Sequence, residues 1–322
     1  MPQLISLIVP CYNESSAIDL FVATVTPILD AIADTSWEVI YVDDGSRDDT
    51  LEKLIALTQK MPSSRVVELS RNFGKEAALT VGLDVSQGDA VIPIDIDLQD
   101  PPELIADMVA AWREGAEIVN ARRVDRMSDS LLKRKTASGF YKIHNALSRI
   151  KIPENVGDFR LMDRCVVNAL KSLPERQRFM KGLFAWVGFR TVTIDYTRMT
   201  RSAGSSKFSA FSLFNLAMEG FTSFSSAPLR IWTLIGGCGA FAAMIYGFLI
   251  LLRTLILGNS VPGYPSLFVA IIFFGSVQLI SVGLLGEYIG RIYMEAKCRP
   301  IYIIRKMHGM QNGCDPERDP EL

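Results

Sequence analysis

The stretch Asp89-Ala90-Val91-Ile92-Pro93-Ile94-Asp95-Ile96-Asp97-Leu98-Gln99-Asp100-Pro101 runs from an apolar segment into carboxylates at alternate positions. Side chains two apart on an extended chain point to the same side, so Asp95 and Asp97 converge, with Gln99 next along. Two carboxylates and an amide oxygen are hard donors, suited to Mg²⁺ or Mn²⁺ held partly by substrate phosphates. The alternative is an acidic turn capping a helix at Pro101-Pro102, because short motifs recur by chance. Other polar clusters bear on the choice: Tyr12-Asn13-Glu14, Asp43-Asp44-Gly45-Ser46 and Arg71-Asn72-Phe73-Gly74-Lys75. Tyr12 can pack against a base and Glu14 can bind a ribose. Asp43 and Asp44 can accept hydrogen bonds from a base N–H or a ribose hydroxyl. Arg122, Arg201 and Lys207 can hold a second anion, arginine being suited to a bidentate grip on phosphate.

Something must bring these clusters together. Apolar spacing predicts strands over 4–9, 38–42, 66–69, 90–94 and 117–121, with helices over 17–33, 48–60, 75–86 and 102–114. Short apolar strands alternating with helices imply a parallel sheet covered on both faces. Each cluster follows a strand, and ligands of open α/β sheets bind at the carboxyl ends of strands. No G-x-G-x-x-G follows the first strand and no G-x-x-x-x-G-K-[ST] occurs, so neither a dinucleotide fingerprint nor a P-loop is present. The two histidines, His144 and His308, lie outside the clusters, which leaves no Ser/His/Asp triad. Five scattered cysteines form no C-x-x-C pair and fit a reducing compartment. A formal charge of −1 gives no reason to expect a nucleic-acid partner.

Apolar residues make up 49% of the 322-residue chain, and the excess lies late. Between Arg230 and Glu287 the single charged residue is Arg253. Two membrane spans are expected, over 231–257 and 266–290, whose uncharged stretches 231–252 and 266–286 are each near the roughly 20 residues a bilayer needs. Gly258, Asn259, Pro262, Gly263 and Pro265 make the turn between them. Arg291, Lys297, Arg299, Arg305 and Lys306 follow the second span, which puts both termini in the cytoplasm. The expected layout is a cytosolic domain over 1–225, the two spans, and a basic tail over 291–322 with a disordered end. Stretches 131–149 and 207–224 are read as amphipathic helices at the lipid interface, with burial in a core as the alternative. Pro300–Ile304 alternates like a strand and is expected to pair with a neighbouring subunit, giving a homo-oligomer, with a tetramer favoured.

I-V-P-C-Y-N-E at 8–14, V-D-D-G-S at 42–46, R-N-F-G-K-E at 71–76 and D-I-D-L-Q-D-P-P at 95–102 resemble the inverting nucleotide-sugar glycosyltransferases of family 2. N-A-R-R at 120–123, G-D-F-R-L-M-D-R at 157–164, F-M-K-G-L-F-A-W-V-G at 179–188 and R-S-A-G-S-S-K at 201–207 are similar to its polyprenyl-phosphate branch. That branch includes bactoprenol glucosyltransferases and dolichyl-phosphate mannose synthase. The resemblance implies an α/β fold of the GT-A, Rossmann-like type at the bacterial inner membrane. It also implies metal-dependent transfer of glucose from UDP-glucose to undecaprenyl phosphate with inversion, in service of O-antigen or envelope glycosylation. Mannose from GDP-mannose, an amino-arabinose derivative from UDP, and a non-catalytic lipid-binding scaffold are the alternatives. By motif, Asp95, Asp97 and Gln99 hold the metal and diphosphate. Pro10, Tyr12, Glu14, Asp43, Asp44, Arg71, Lys75 and Asp95 form the nucleotide-sugar pocket. Arg122, Arg201 and Lys207 grip the acceptor phosphate, and Asp158 takes the catalytic position alongside Asp97 and Arg122. A phosphate monoester carries about 1.5–2 negative charges near neutrality, so Asp158 is expected to orient the acceptor or a sugar hydroxyl instead of acting as a base.

Overall fold

The computed structural model describes residues 2–124, 153, 156–176, 178–197 and 263–309, with isolated positions between 236 and 256. These fall into two units, one before residue 209 joined by 300–309, the other within 209–299. The stretches 131–149 and 207–224, together with Arg201, Lys207 and most of the first expected span, lie outside the described residues.

The first unit opens with the expected alternation: β1 (Gln3–Cys11), α1 (Ile18–Asp30), β2 (Thr35–Asp43), α2 (Thr50–Lys60), β3 (Ser64–Leu69), α3 (Lys75–Val85), β4 (Ala90–Pro93), α4 (Leu104–Arg113) and β5 (Ile118–Arg123). In α1 the buried residues Ile18, Phe21, Val25 and Leu29 recur at helical spacing and face Leu7, Val39 and Tyr41 of the sheet. Helix α3 is buried from Ala77 to Leu83, and its small Ala77, Ala78 and Gly82 let it lie close to β1. Beyond β5 come β6 (Val156–Asp163), α5 (Arg164–Lys171), α6 (Met180–Trp186) and β7 (Thr191–Tyr196).

The strands order as β7-β5-β6-β4-β1-β2-β3, closed at the far edge by β8 (Ile304–Gly309). The sheet is mixed, where a wholly parallel one was expected: β6 runs antiparallel between β4 and β5, and β8 antiparallel to β3. The crossover through α4 carries the chain from β4 past one open slot to β5, and β6 fills that slot from the opposite direction. Opposite the strand ends that carry the clusters, buried Glu38 accepts from Ser6 Oγ, Arg65 Nη2 and the backbone N–H groups of Gln87 and Gly88. One carboxylate thus joins β1, β2, β3 and the turn before β4.

The strand expected at 300–304 is corrected twice. It lies at 304–309, and it pairs with β3 of its own chain. Glu68 on β3 supplies the reason, meeting Arg305 Nη1 at 3.2 Å and His308 Nε2 at 3.3 Å. Tyr302 also donates to Asp84 at 2.8 Å. This pairing removes the argument for a tetramer built through that strand.

In the second unit α7 (Tyr264–Ala296) is long and apolar enough over Ala270–Ala296 to cross a membrane, judged by length and composition. Its Ile271, Phe273, Leu279, Val282 and Ile292 are exposed, an arrangement that water penalises and lipid does not. The described positions between 236 and 256 are helical.

Candidate active site

Strands β1, β2 and β4 are parallel and in register, Cys11 opposite Asp43 and Ile8 opposite Pro93. The residues that follow them therefore emerge on one edge of the sheet. Because β6 runs the other way, its first residues return to the same edge and bring Asp158 with them. Cys11 marks the convergence: burial pushes its thiol pKa up, and the carboxylates of Asp43, Glu14 and Asp95 push it further.

The first two clusters are tied by Asn13, whose N–H donates to Ser46 Oγ at 3.0 Å and whose Oδ1 accepts from Arg47 N at 2.8 Å. Gly45 has φ +67°, and a Cβ there would lie 2.6 Å from the backbone of Arg71 and Asn72, so the turn requires glycine. Asp43 Oδ2 accepts from Ser46 N at 3.2 Å, while its buried Oδ1 has no partner among the described residues. Burial raises the Asp43 pKa. Asp44 behaves differently from its neighbour. Its two oxygens accept from Phe73 N at 2.7 Å and Gly74 N at 2.9 Å, which fixes the loop leading to Lys75.

Lys75 forms the centre. Its ammonium lies 2.7 and 2.8 Å from the two oxygens of Asp95 and 2.9 Å from Asp158 Oδ2. Burial opposes its charge, but Asp158 and Asp95 outweigh that and hold its pKa well above the usual lysine value. Burial also acts against ionised Asp158, whose pKa is nonetheless lowered by Lys75, Lys181 and Arg160. Asp95 goes the other way: its burial, with Asp158 and Asp97 nearby, outweighs Lys75 and raises it. Next to Lys75, burial and the charge of Asp158 push Glu76 up to about 7, although its carboxylate accepts from Met180 N at 3.2 Å.

The helix-cap alternative for Asp95 and Asp97 fails: α4 begins at Leu104, and its cap residue Glu103 makes no side-chain cap bond. The donor set fits a hard divalent ion. Like charges on Asp95 and Asp97 sit close enough to act on one another. Among the described residues no group of three or more His, Cys, Asp or Glu could hold a metal, so these residues alone do not make a complete ligand shell. Gln99 donates its backbone N–H to Asp97 Oδ1 at 3.2 Å and its amide to Asp97 Oδ2. As it lies it steadies Asp97, and its amide must turn before its oxygen can serve as a ligand.

Residues 6–170 match the family profile described as "Glycosyl transferase family 2". A Shigella flexneri protein described as an SfII prophage-derived bactoprenol glucosyl transferase is 53% identical over 94% of this chain and 98% of its own. The chain belongs to glycosyl transferase family 2. An Escherichia coli K12 relative, a prophage bactoprenol glucosyl transferase homolog, is 52% identical over 94% of this chain and 99% of its own. Among solved structures, mannosyl-3-phosphoglycerate synthase from Rubrobacter xylanophilus is similar over 73% of this chain and 75% of that one, with 16% identity and a TM-score of 0.48.

For this glycosyltransferase, the remaining expected residues are placed as follows. Pro10 is the last but one residue of β1, opposite Val42. Tyr12 is 41% exposed at the mouth of the edge. Glu14 donates its N–H to Thr50 Oγ1 at 2.9 Å. Arg71 turns onto its own loop, 4.0 Å over the Phe73 ring. Arg122 is held in a bidentate pair by Asp195 of β7, at 2.6 and 2.8 Å. Four residues outside the sequence reading join them. They are Glu76, Asp195, Arg160 two residues beyond Asp158 on β6, and Tyr196, whose hydroxyl donates to Asp100 in the loop after β4. Tyr196 and Asp195 left a legible signal in the alternation T-V-T-I-D-Y, which ends a strand with a polar pair. Glu76 and Arg160 lie inside the motifs at 71–76 and 157–164, but nothing there gives them a role, since Met180 and Phe184, which they meet, come from a later segment.

Proposed function

We propose that the protein transfers glucose from UDP-glucose to undecaprenyl phosphate at the cytoplasmic face of the bacterial inner membrane, with inversion. The observation that carries this is the likeness, over 94% of the chain, to relatives described as bactoprenol glucosyl transferases. The geometry supports it. The buried Oδ1 of Asp43, without a partner among the described residues, is an acceptor suited to a base N–H, and the exposed Tyr12 is suited to covering the ring. Asp95 and Asp97 are the residues that would hold Mg²⁺ or Mn²⁺. Bound there, the ion supplies Lewis-acid relief of charge on the departing diphosphate. Lys75 keeps Asp95 and Asp158 at fixed places across the cleft. Asp158 then orients the incoming group, because a lipid phosphate already carries the charge a nucleophile needs. Attack opposite the leaving diphosphate inverts the anomeric carbon. Arg122, Arg201 and Lys207 draw in the acceptor phosphate, Arg122 exchanging Asp195 for it. The long acceptor requires the cleft to work near lipid, and α7 with the preceding apolar segment serves as a hairpin anchor. A methyl group added at Gly239 would lie 3.6 Å from the Phe274 ring, as expected where the two segments pack.

The test is the full chain in detergent with undecaprenyl phosphate and a panel of UDP-glucose, GDP-mannose and UDP-amino-arabinose, scored by lipid product. Glucosyl lipid is expected from UDP-glucose with Mg²⁺ or Mn²⁺, and is lost in Asp97→Asn. A product from a different donor alone moves the assignment to that sugar. No lipid product from any donor overturns it.

A further inference from the structure

Arg160 is 4% exposed on β6. Taking a guanidinium out of water costs several kcal/mol unless its charge and N–H groups are met. Its Nη2 donates to Gly157 O at 2.5 Å, and its Cζ lies 3.9 Å from the centre of the Phe184 ring on α6. The charge facing it is Asp158, two residues earlier on the same strand. Arg160 Nε and the buried Oδ1 of Asp158 are both without partners among the described residues. An apolar side chain of similar volume would fill this place at lower cost, but it would hold neither Gly157 nor Asp158.

The register of β6 indicates what the guanidinium does. Asn120 of β5 lies opposite Arg160 and Arg122 lies opposite Val156, so β6 carries extra residues between these pairs. Bulges bend a strand and re-aim its side chains, and Asp158 lies within this one. The bond to Gly157 O closes the bulge across its own strand. The stack on Phe184 ties it to α6, whose first turn is pinned from the other side by Glu76 accepting from Met180 N.

We infer that Arg160 is a positioning residue for the transfer reaction, fixing the aim of Asp158 by closing the bulge at Gly157 and clamping it to α6 through Phe184. This rests on the glycosyl transfer proposed above. The ammonium of a lysine keeps the charge but lacks the planar fork and the flat face that Gly157 and Phe184 use. In the full chain, Arg160→Lys is therefore expected to lower kcat about 10- to 100-fold, the scale of a small misplacement at the reacting centre. The KM for UDP-glucose and the affinity for UDP are expected to stay within about threefold, because neither depends on where Asp158 points. Phe184→Leu is expected to lower kcat in the same direction by less. An unchanged kcat in a folded Arg160→Lys overturns the inference. So does a fall in UDP affinity equal to the fall in kcat, which signals general loosening. If Arg160→Lys does not fold, Phe184→Leu decides: wild-type kcat at wild-type Tm overturns the inference. A wild-type chain without transfer brings down the proposed function and the inference together. An active wild type with an equally active Arg160→Lys brings down the inference alone.

Discussion

Asp44→Asn separates a loop clamp from a ligand contact. Asp44 is 4% exposed, and its two oxygens take the N–H groups of Phe73 and Gly74 at 2.7 and 2.9 Å. An amide of the same shape offers one oxygen and one NH₂, so one backbone N–H is left facing a donor. Losing a charge-assisted bond costs about 1.5–3 kcal/mol, and the stranded donor costs about 1–3 kcal/mol more. Burial works in the opposite direction. It raises the Asp44 pKa, so the carboxylate is already penalised in the fold and a neutral amide recovers part of the loss. The hydrogen bonds win, because two donors are served at short range, and the net cost is about 2 kcal/mol. For a unit of this size that lowers Tm by about 4–8 °C. Turnover falls with it, since the clamped loop delivers Lys75. The assay is thermal unfolding in detergent beside calorimetric binding of UDP. An unchanged Tm with weakened UDP binding rules out the loop clamp and makes Asp44 a nucleotide contact.

Two further perturbations test the centre. Glu76 has a folded pKa of about 7 against an ordinary 4.5, so the folded state binds its proton more tightly. Its contribution to stability is full below about 4.5 and is lost as pH rises through about 7. Glu76→Gln keeps an acceptor for Met180 N without the charge. It is expected to raise Tm over wild type at pH 8, by up to about 3 kcal/mol in stability, with the gap closing by pH 5; an equal gap at both pH values rules the assignment out. Tyr196→Phe removes the hydroxyl bonded to Asp100 and frees the loop that holds Asp95 and Asp97. The Mn²⁺ concentration for half-maximal turnover is expected to rise about fivefold, the equivalent of one hydrogen bond, and an unchanged metal dependence would show the brace to be idle.

The expected strands and helices up to residue 121 were legible because strands such as β4 are continuous buried apolar runs and helices such as α1 repeat Ile18, Phe21, Val25 and Leu29 at helical spacing. The later strands were harder for a physical reason. In β6 a buried arginine interrupts the apolar positions Phe159 and Leu161, and its bulge breaks the period of two. Strand β8 reads I-R-K-M-H-G and is held by the polar pairs that Arg305 and His308 make with Glu68, so little in its composition announces burial. For the site, the strand-end clusters put Lys75, Asp95 and Asp97 on one edge of the sheet, while Asp158 came only from the family resemblance, with no strand to place it. Sequence could not show that Asp44 serves its own loop or that Arg122 is paired with Asp195, because both facts depend on which neighbour arrives at bonding distance. The same holds for Glu76, whose partner Met180 lies on α6.

The pairing of β8 with β3 also has a bearing on biogenesis. About 235 residues separate Leu69 from Ile304, and the helix that precedes β8 is the apolar α7. At roughly 5–20 residues per second, the ribosome leaves the β3 edge without its partner for about 10–50 s. During that interval Val66 and Val67 border an open row of backbone donors and acceptors, the kind of edge that recruits other chains. The sheet is completed only after the apolar helix has been made. A nascent chain stalled within α7 is therefore expected to be more prone to aggregation than one released after Gly309.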